Sequence, residues 1–328
     1  MFSSRMSRRS FLNLSLGSMA GMTLGLQADA QTSNSQQLIA IPQKTFIPPL
    51  FCTAYITPDA PGQGGQEAMV AKYPLANVAQ DDNVVFRRWR DKVKSLNPDI
   101  LMLGYQVVIQ ETKVPGPGHQ RLSRVKNSFC SYPGGMVPTV PGAFPGDTSR
   151  IYDPRTAVWR TAFLDACNDT LASYPYDGLF LDQCTVFFKA SPLPWVREEM
   201  LVALRETLLE LRKAHPNIII VGNSSYNFAG LNGEMNEGRP NDLQKEMAPF
   251  AGHVPPRIEM MQTMLRYAND INTVKREMAI AHAYGAFYGA CVDGSHVLWF
   301  DEFDAVIAAF NKTRNKTASQ IKNGVSGA

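Results

Sequence analysis

The chain has 328 residues, with 32 basic and 29 acidic side chains and a formal net charge of +3. That balance offers no electrostatic case for binding nucleic acid, while 45% hydrophobic residues in a chain this long can bury one large core. The five cysteines (Cys52, Cys130, Cys167, Cys184, Cys291) lie far apart and are odd in number, so they spell neither a metal cluster nor a dense disulfide framework.

In chain order, the N-terminus comes first. It carries Arg8-Arg9, a mild apolar stretch from Phe11 to Leu26, and then Ala28-Asp29-Ala30. Paired arginines before an apolar region and an A-x-A site are the pattern of a twin-arginine export signal. Asn13, Ser15, Gly17, Ser18, Gly21 and Gly25 interrupt the apolar stretch, which is too short and too polar for a stable membrane span. Residues 1–30 are therefore read as a signal handled by the twin-arginine export machinery. Cleavage is expected near Ala30, and the mature protein in the periplasm or secreted. Three arginines and one aspartate leave with the leader, so the remainder is near +1. Residues 31–45, "QTSNSQQLIAIPQKT", read as a tether.

Beyond the tether, strand-like and helix-like stretches alternate. "FIPPLFCTAYI" (46–56) reads as a strand with prolines at its start. "NVVFRRWRDKVKSL" (83–96) is an amphipathic helix whose Phe86, Trp89, Val93 and Leu96 share one face, which puts the arginines on a solvated face. "DILMLGYQVVI" (99–109) is a buried strand. Residues 112–150, rich in Gly and Pro, read as a long loop with a short strand near Ser128–Ser131. Asp153-Pro154 opens a helix to Tyr174, followed by the strand in "YDGLFLDQC" (176–184). A helix over 194–215 has Leu201, Leu204, Leu208 and Leu211 on one face. Then come a strand (217–225), a weak strand (230–238), a short helix (241–250), a strand or helix start (257–265), a helix (269–285), a strand (286–294) and a last helix (301–315).

About eight alternations of strand and helix argue for a parallel sheet with right-handed crossovers. The count favours a (β/α)8 TIM barrel over residues 46–316, a single domain with a C-terminal tail at 317–328; an open doubly wound sheet is the alternative. In such folds ligands bind at the carboxyl ends of the strands. Those ends present Asp182, Asn223, a cluster of Glu234, Asn236 and Glu237, then Glu259 and Gln262, and Asp293.

Two carboxyl groups facing each other across a sugar are the machinery of most glycoside hydrolases, one ionised and one protonated. Asp182, just past an apolar strand, suits the ionised role. Glu237, on a Gly-flanked loop, has the longer side chain and suits the proton donor. Tyr105, Asn223, Tyr226, Asn236, Glu234, Asp293 and Trp299 are candidate substrate-binding residues around them. Phe187, Phe188 and Tyr288 are further aromatic candidates. The competing structural readings are a helix cap for Asp182, a turn for Asp177, solvated loop positions for Glu234 and Glu237, and a buried arginine partner for Glu259. No dinucleotide, phosphate-loop or zinc-protease motif is present, so no cofactor is expected, and the scattered histidines give no metal site.

The stretch "YDGLFLD", followed by a helix and "IIIVGN", resembles glycoside hydrolase-like proteins of TIM-barrel fold. These are similar in turn to endo-α-1,4-polygalactosaminidases and, more distantly, to α-galactosidase-like barrels. "RWRDKVKSLNPDILMLGY" and "YDPRTAVWR" resemble two other parts of the same barrel, and the resemblance covers roughly residues 84 to 240. It implies a catalytic Asp at the end of the fourth strand, which maps onto Asp182. It also implies an acid on the sixth, for which Glu237 is the nearest match and Glu234 the fallback. "GLNGEMNEG" departs from the family pattern at that strand. The expectation is an exported glycosidase acting on a polysaccharide. Its rivals are a sugar-binding protein on the same fold, and a deacetylase or phosphodiesterase using a metal on Asp182, Glu237 and His296.

Overall fold

A computed structural model describes residues 47–55, 66–79, 84–111, 139–141, 148–184, 194–223, 228–237, 253–292 and 297–324. The export signal, the tether, the stretch near Ser128–Ser131, the helix expected at 241–250, Phe187, Phe188, Tyr226, Asp293 and His296 lie outside them.

Eight parallel strands form one sheet: β1 (Phe51–Tyr55), β2 (Leu75–Ala79), β3 (Leu101–Val107), β7 (Gly178–Asp182), β8 (Ile219–Asn223), β9 (Gly233–Asn236), β10 (Met260–Leu265) and β11 (Phe287–Val292). A parallel bridge between Leu50 and Tyr288, with Tyr288 N–H donating to the Pro49 carbonyl at 2.9 Å, joins the last strand to the first. The sheet is a (β/α)8 barrel. Beyond the carboxyl end of β3, the short strands β4 (Gln110–Glu111), β5 (Thr139–Pro141) and β6 (Thr148–Ile151) form a separate antiparallel sheet in the order β4-β6-β5.

Two strand assignments differ from expectation. The second barrel strand is "LANVA", 75–79, a stretch read as no element at all, and the Gly/Pro-rich region 112–150 supplies strands of a side sheet. The two differences cancel in the count, so Asp182 still ends the fourth barrel strand.

Side chains alternate across each strand. Phe51, Leu75, Leu103, Tyr105, Phe180, Val221, Met235, Met260 and Phe287 pack together inside the barrel. Leu179, Leu181 and Ile220 face outward against Trp159, Phe163 and the leucines of the helix Pro194–Ala214. The helices are α1 (Gln66–Val70), α2 (Val84–Leu96), α3 (Ala157–Ser173), α4 (Pro194–Ala214), α5 (Ile271–Ala283) and α6 (Asp301–Gly324). Thr156 caps α3, its hydroxyl accepting from Trp159 N–H at 3.3 Å. α6 runs on to Gly324, into the segment read as a tail.

The α2 arginines divide. Arg87 and Arg88 are exposed, but Arg90 is 1% exposed, with its guanidinium 4.5 Å from the Tyr174 ring centre and bonded to the Tyr176 hydroxyl. Two aromatic faces repay the desolvation of a cation at that position. Asp177 is a joint at the amino end of β7, where Oδ2 accepts from Met102 N–H at 2.9 Å and Lys94 Nζ at 3.2 Å.

Candidate active site

The carboxyl ends of β3, β7, β8 and β9 converge on one cluster. Asp182 is the last residue of β7, in the same alternation as the inward-facing Phe180, and it is 8% exposed. Its carboxylate takes three donors. Asn223 Nδ2 donates to Oδ1 at 2.7 Å, Gln183 N–H donates to the same oxygen at 2.9 Å, and the Tyr105 hydroxyl donates to Oδ2. Three converging donors complement an ionised carboxylate.

The amide N–H of Gln183 reaches back because Gln183 has φ 54°, the one positive φ at a non-glycine among the described residues. On either side of this twist the ladder is intact. Val108 N–H donates to the Asp182 carbonyl at 3.0 Å, and Cys184 N–H donates to the Asn223 carbonyl at 3.0 Å. The left-handed residue turns one peptide inward without detaching β7 from its neighbours. Nothing in a glutamine side chain announces this conformation, and sequence reading misses it.

Asn223, the last residue of β8, also donates from Nδ2 to Glu237 Oε1 at 3.2 Å. One side-chain nitrogen thus bridges the two carboxylates, and its two bonds hold the bonded oxygens within about 6 Å of each other. Glu237 follows the last residue of β9 and is exposed, so it stands at the solvent side of the pair while Asp182 is nearly enclosed. Tyr105 lies beneath, its ring centre 5.8 Å from that of Phe180.

The other candidates are placed elsewhere. Met235 packs inside the barrel, and Glu234 and Asn236 alternate with it on β9, so both turn toward the helix layer. Glu234 is 7% exposed, and its charge acts with that of Asp182 and with burial to push the Cys184 thiol up, burial being the largest cause. Cys184 is thereby kept a protonated, unreactive neighbour of the site. Glu259 precedes β10 at the amino end of the barrel. Its partner is no arginine: Oε1 lies 2.6 Å from His253 Nδ1, and Oε2 accepts Glu234 N–H at 3.0 Å. Trp299 packs edge-on to Tyr73, two residues ahead of β2, and to Phe303, with Lys72 over its ring. It belongs to the outer layer at the amino end. Tyr288 is fully buried on the outer side of the barrel against Phe303.

Among the described residues no group of three or more His, Cys, Asp or Glu side chains is placed to hold a metal ion, and no helix is long and apolar enough to cross a membrane. The four described cysteines are all buried.

No protein-family model matches the sequence, and no curated protein matches it either. Solved structures of similar fold include glycoside hydrolases. An α-galactosidase from Thermus thermophilus, in complex with stachyose, aligns at a TM-score of 0.54 and 14% identity, over 80% of this chain and 65% of that one. The glycoside hydrolase domain of PelA from Pseudomonas aeruginosa aligns at 0.49 and 13%, over 74% and 92% respectively. Ega3 from Aspergillus fumigatus, in complex with galactosamine, aligns at 0.47 and 10%, over 82% and 98%. At these identities the α-galactosidase likeness establishes the barrel fold.

Proposed function

We propose that the chain is an exported glycosidase that cleaves a polysaccharide outside the cytoplasm, with Asp182 as the ionised carboxylate and Glu237 as the proton donor. The observation that carries this reading is the Asn223 bridge between the two carboxylates at the carboxyl end of a (β/α)8 barrel. Fold alone would not suffice, because barrels of this kind host many chemistries.

The carboxyl spacing supports a retaining course. Carboxyls about 5–5.5 Å apart leave no room for a water between the second carboxylate and the sugar, whereas inverting enzymes hold them at about 6.5–9.5 Å. With the bonded oxygens inside about 6 Å, Asp182 attacks the anomeric carbon as Glu237 protonates the leaving oxygen. The glycosyl ester is then hydrolysed by a water that Glu237, now a carboxylate, deprotonates. Three donors fix the attacking carboxylate in one orientation, which lowers the reorganisation needed at the moment of attack.

Proton NMR of the first-formed product anomer tests the stereochemistry. Retention is expected, and inversion would contradict the nucleophilic role of Asp182. Sugar binding without any hydrolysis would favour a binding protein on the same fold. Arg8-Arg9 supports the export reading, and the Arg8→Lys/Arg9→Lys double variant is expected to leave the precursor in the cytoplasm.

A further inference from the structure

We propose that Gln262, anchored by Thr53, reads a neutral ring hydroxyl of the sugar seated at Asp182. The inference rests on the glycosidase reading of the site and assigns its specificity to the opposite side of the barrel.

Thr53, Tyr105, Asn223 and Gln262 stand on the first, third, fifth and seventh barrel strands, and in such barrels alternate strands contribute the side chains of one interior layer. The layer is wholly polar. Two of its members, Tyr105 and Asn223, hold Asp182. The other two hold each other, Thr53 Oγ1 donating to Gln262 Oε1 at 2.9 Å. Gln262 is 4% exposed and Asn223 3%, so the two amides stand at comparable depth, whereas Asn77 below is fully buried. An apolar layer would pack there at no desolvation cost, so the amide and hydroxyl require an explanation that packing does not supply.

The direction of the hydrogen bonds is fixed by one end of the chain. Met264 Sδ can only accept, so the Cys291 thiol, 2.9 Å away, donates to it. Cys291 Sγ then accepts from Gln262 Nε2 at 2.9 Å, which turns Gln262 Oε1 to the Thr53 hydroxyl. Thr53 Oγ1 in turn accepts from Asn77 Nδ2 at 3.3 Å. Gln262 is thereby locked with its carbonyl occupied and its nitrogen toward β11. That nitrogen makes no further hydrogen bond among the described residues, and its second proton remains for a ligand. An N–H reads an acceptor. A hydroxyl satisfies it and an ammonium does not, so at this position a neutral sugar is preferred over its free-amine counterpart.

The test uses the Asp182→Asn chain, which binds without turning over, titrated with the methyl glycosides of galactose, glucose and mannose, their monodeoxy forms and the 2-amino forms. Adding Gln262→Leu is expected to weaken the preferred hexoside about tenfold, the scale of one hydrogen bond. One monodeoxy form should bind both variants alike. Thr53→Val, which keeps Gln262 but removes its anchor, should reduce discrimination at that same hydroxyl by a smaller factor, and thermal melts of both variants report folding. A Gln262→Leu effect equal across the whole deoxy series would overturn the proposal, as would failure of every hexoside to bind. Should the deoxy pattern hold while the wild type never hydrolyses a glycoside, the hydrolase reading falls and the specificity assignment stands. Hydrolysis with a flat deoxy pattern would remove only the assignment.

Discussion

Asp182 is held by two side chains and by the amide of its own successor, and the three supports answer differently to substitution. Tyr105→Phe removes one donor from the carboxylate while keeping the ring on Phe180. We expect kcat to fall about tenfold to a hundredfold with the melting temperature little changed, measured by initial rates and circular dichroism. At Gln183 the backbone itself is strained, since a left-handed conformation costs an ordinary residue about 1–2 kcal/mol. Gln183→Gly should keep the activity and raise Tm by about 2–4 °C. Gln183→Val should lower both, because a β-branched side chain resists that conformation and withdraws the amide from Asp182. A drop in Tm for the glycine variant would show that the side chain of Gln183, and not its backbone, is what the site uses. Strand-end reasoning from sequence locates Asp182, Asn223 and Tyr105 in one neighbourhood because a buried parallel strand must release its polar residue at the edge. It cannot tell Glu234 and Asn236 from Glu237, since the side each takes depends on where the two-residue alternation of β9 begins. In "GLNGEMNEG" no hydrophobic pattern marks that start.

Among the barrel strands, β2 is the one that sequence reading loses, and its residues show why. "LANVA" has two alanines and an asparagine where buried strands favour branched residues, and only the finished barrel gives Asn77 its partner in Thr53. The strands β3, β7 and β8 are legible because they are apolar on both faces, as a parallel sheet requires. Close strand contact accounts for the glycine that opens β7: a Cβ on Gly178 would lie 1.9 Å from the Ile219 carbonyl oxygen, and backbone cannot yield as a side chain can. Gly178→Ala is expected to destabilise by more than about 4 kcal/mol, visible as loss of soluble protein or of a cooperative melt. A second joint lies under α4. Burial pulls the Arg212 guanidinium down to about 10, and it donates to the Gly230 and Ile218 carbonyls at 2.8 and 2.7 Å and to Asn232 Oδ1 at 2.7 Å. Arg212→Met would strand the two carbonyls, while Asn232 Oδ1 keeps the Ile220 N–H at 2.7 Å, and a loss of about 3 kcal/mol in urea unfolding is expected.

Across the whole molecule, closure of the barrel brings the approach to β1 against α5 and β11. His282, in the last turn of α5, lies with Nε2 3.1 Å from the Pro49 carbonyl oxygen, and burial lowers its pKa below the ordinary histidine value, the bond to Pro49 opposing in part. A depressed folded value means that folding favours the neutral ring. Its contribution is complete above the unfolded value of about 6.5 and is lost as pH falls through that value toward the folded one. Tm is therefore expected to decline between pH 7 and pH 5, and His282→Gln, which can still donate to Pro49, should flatten part of that decline. An identical pH dependence in the variant would assign the loss to other groups, His215 among them, whose value burial also lowers.

The alternation makes a parallel α/β fold legible and its count favours the barrel, which matches a solved α-galactosidase at 14% identity. What such folds share is strand spacing and an enclosed apolar layer, which many sequences satisfy. The chemistry is carried by a few strand-end residues that this similarity does not fix.

Reducing-sugar release from a panel of neutral and amino-sugar polysaccharides, by the wild type and by folded Asp182→Asn and Glu237→Gln, bears most directly on the pair bridged by Asn223. Release by the wild type, falling at least about a hundredfold in each variant, is the expected result. Release undiminished in Asp182→Asn would contradict it and leave the carboxylate with only a structural place at the end of β7.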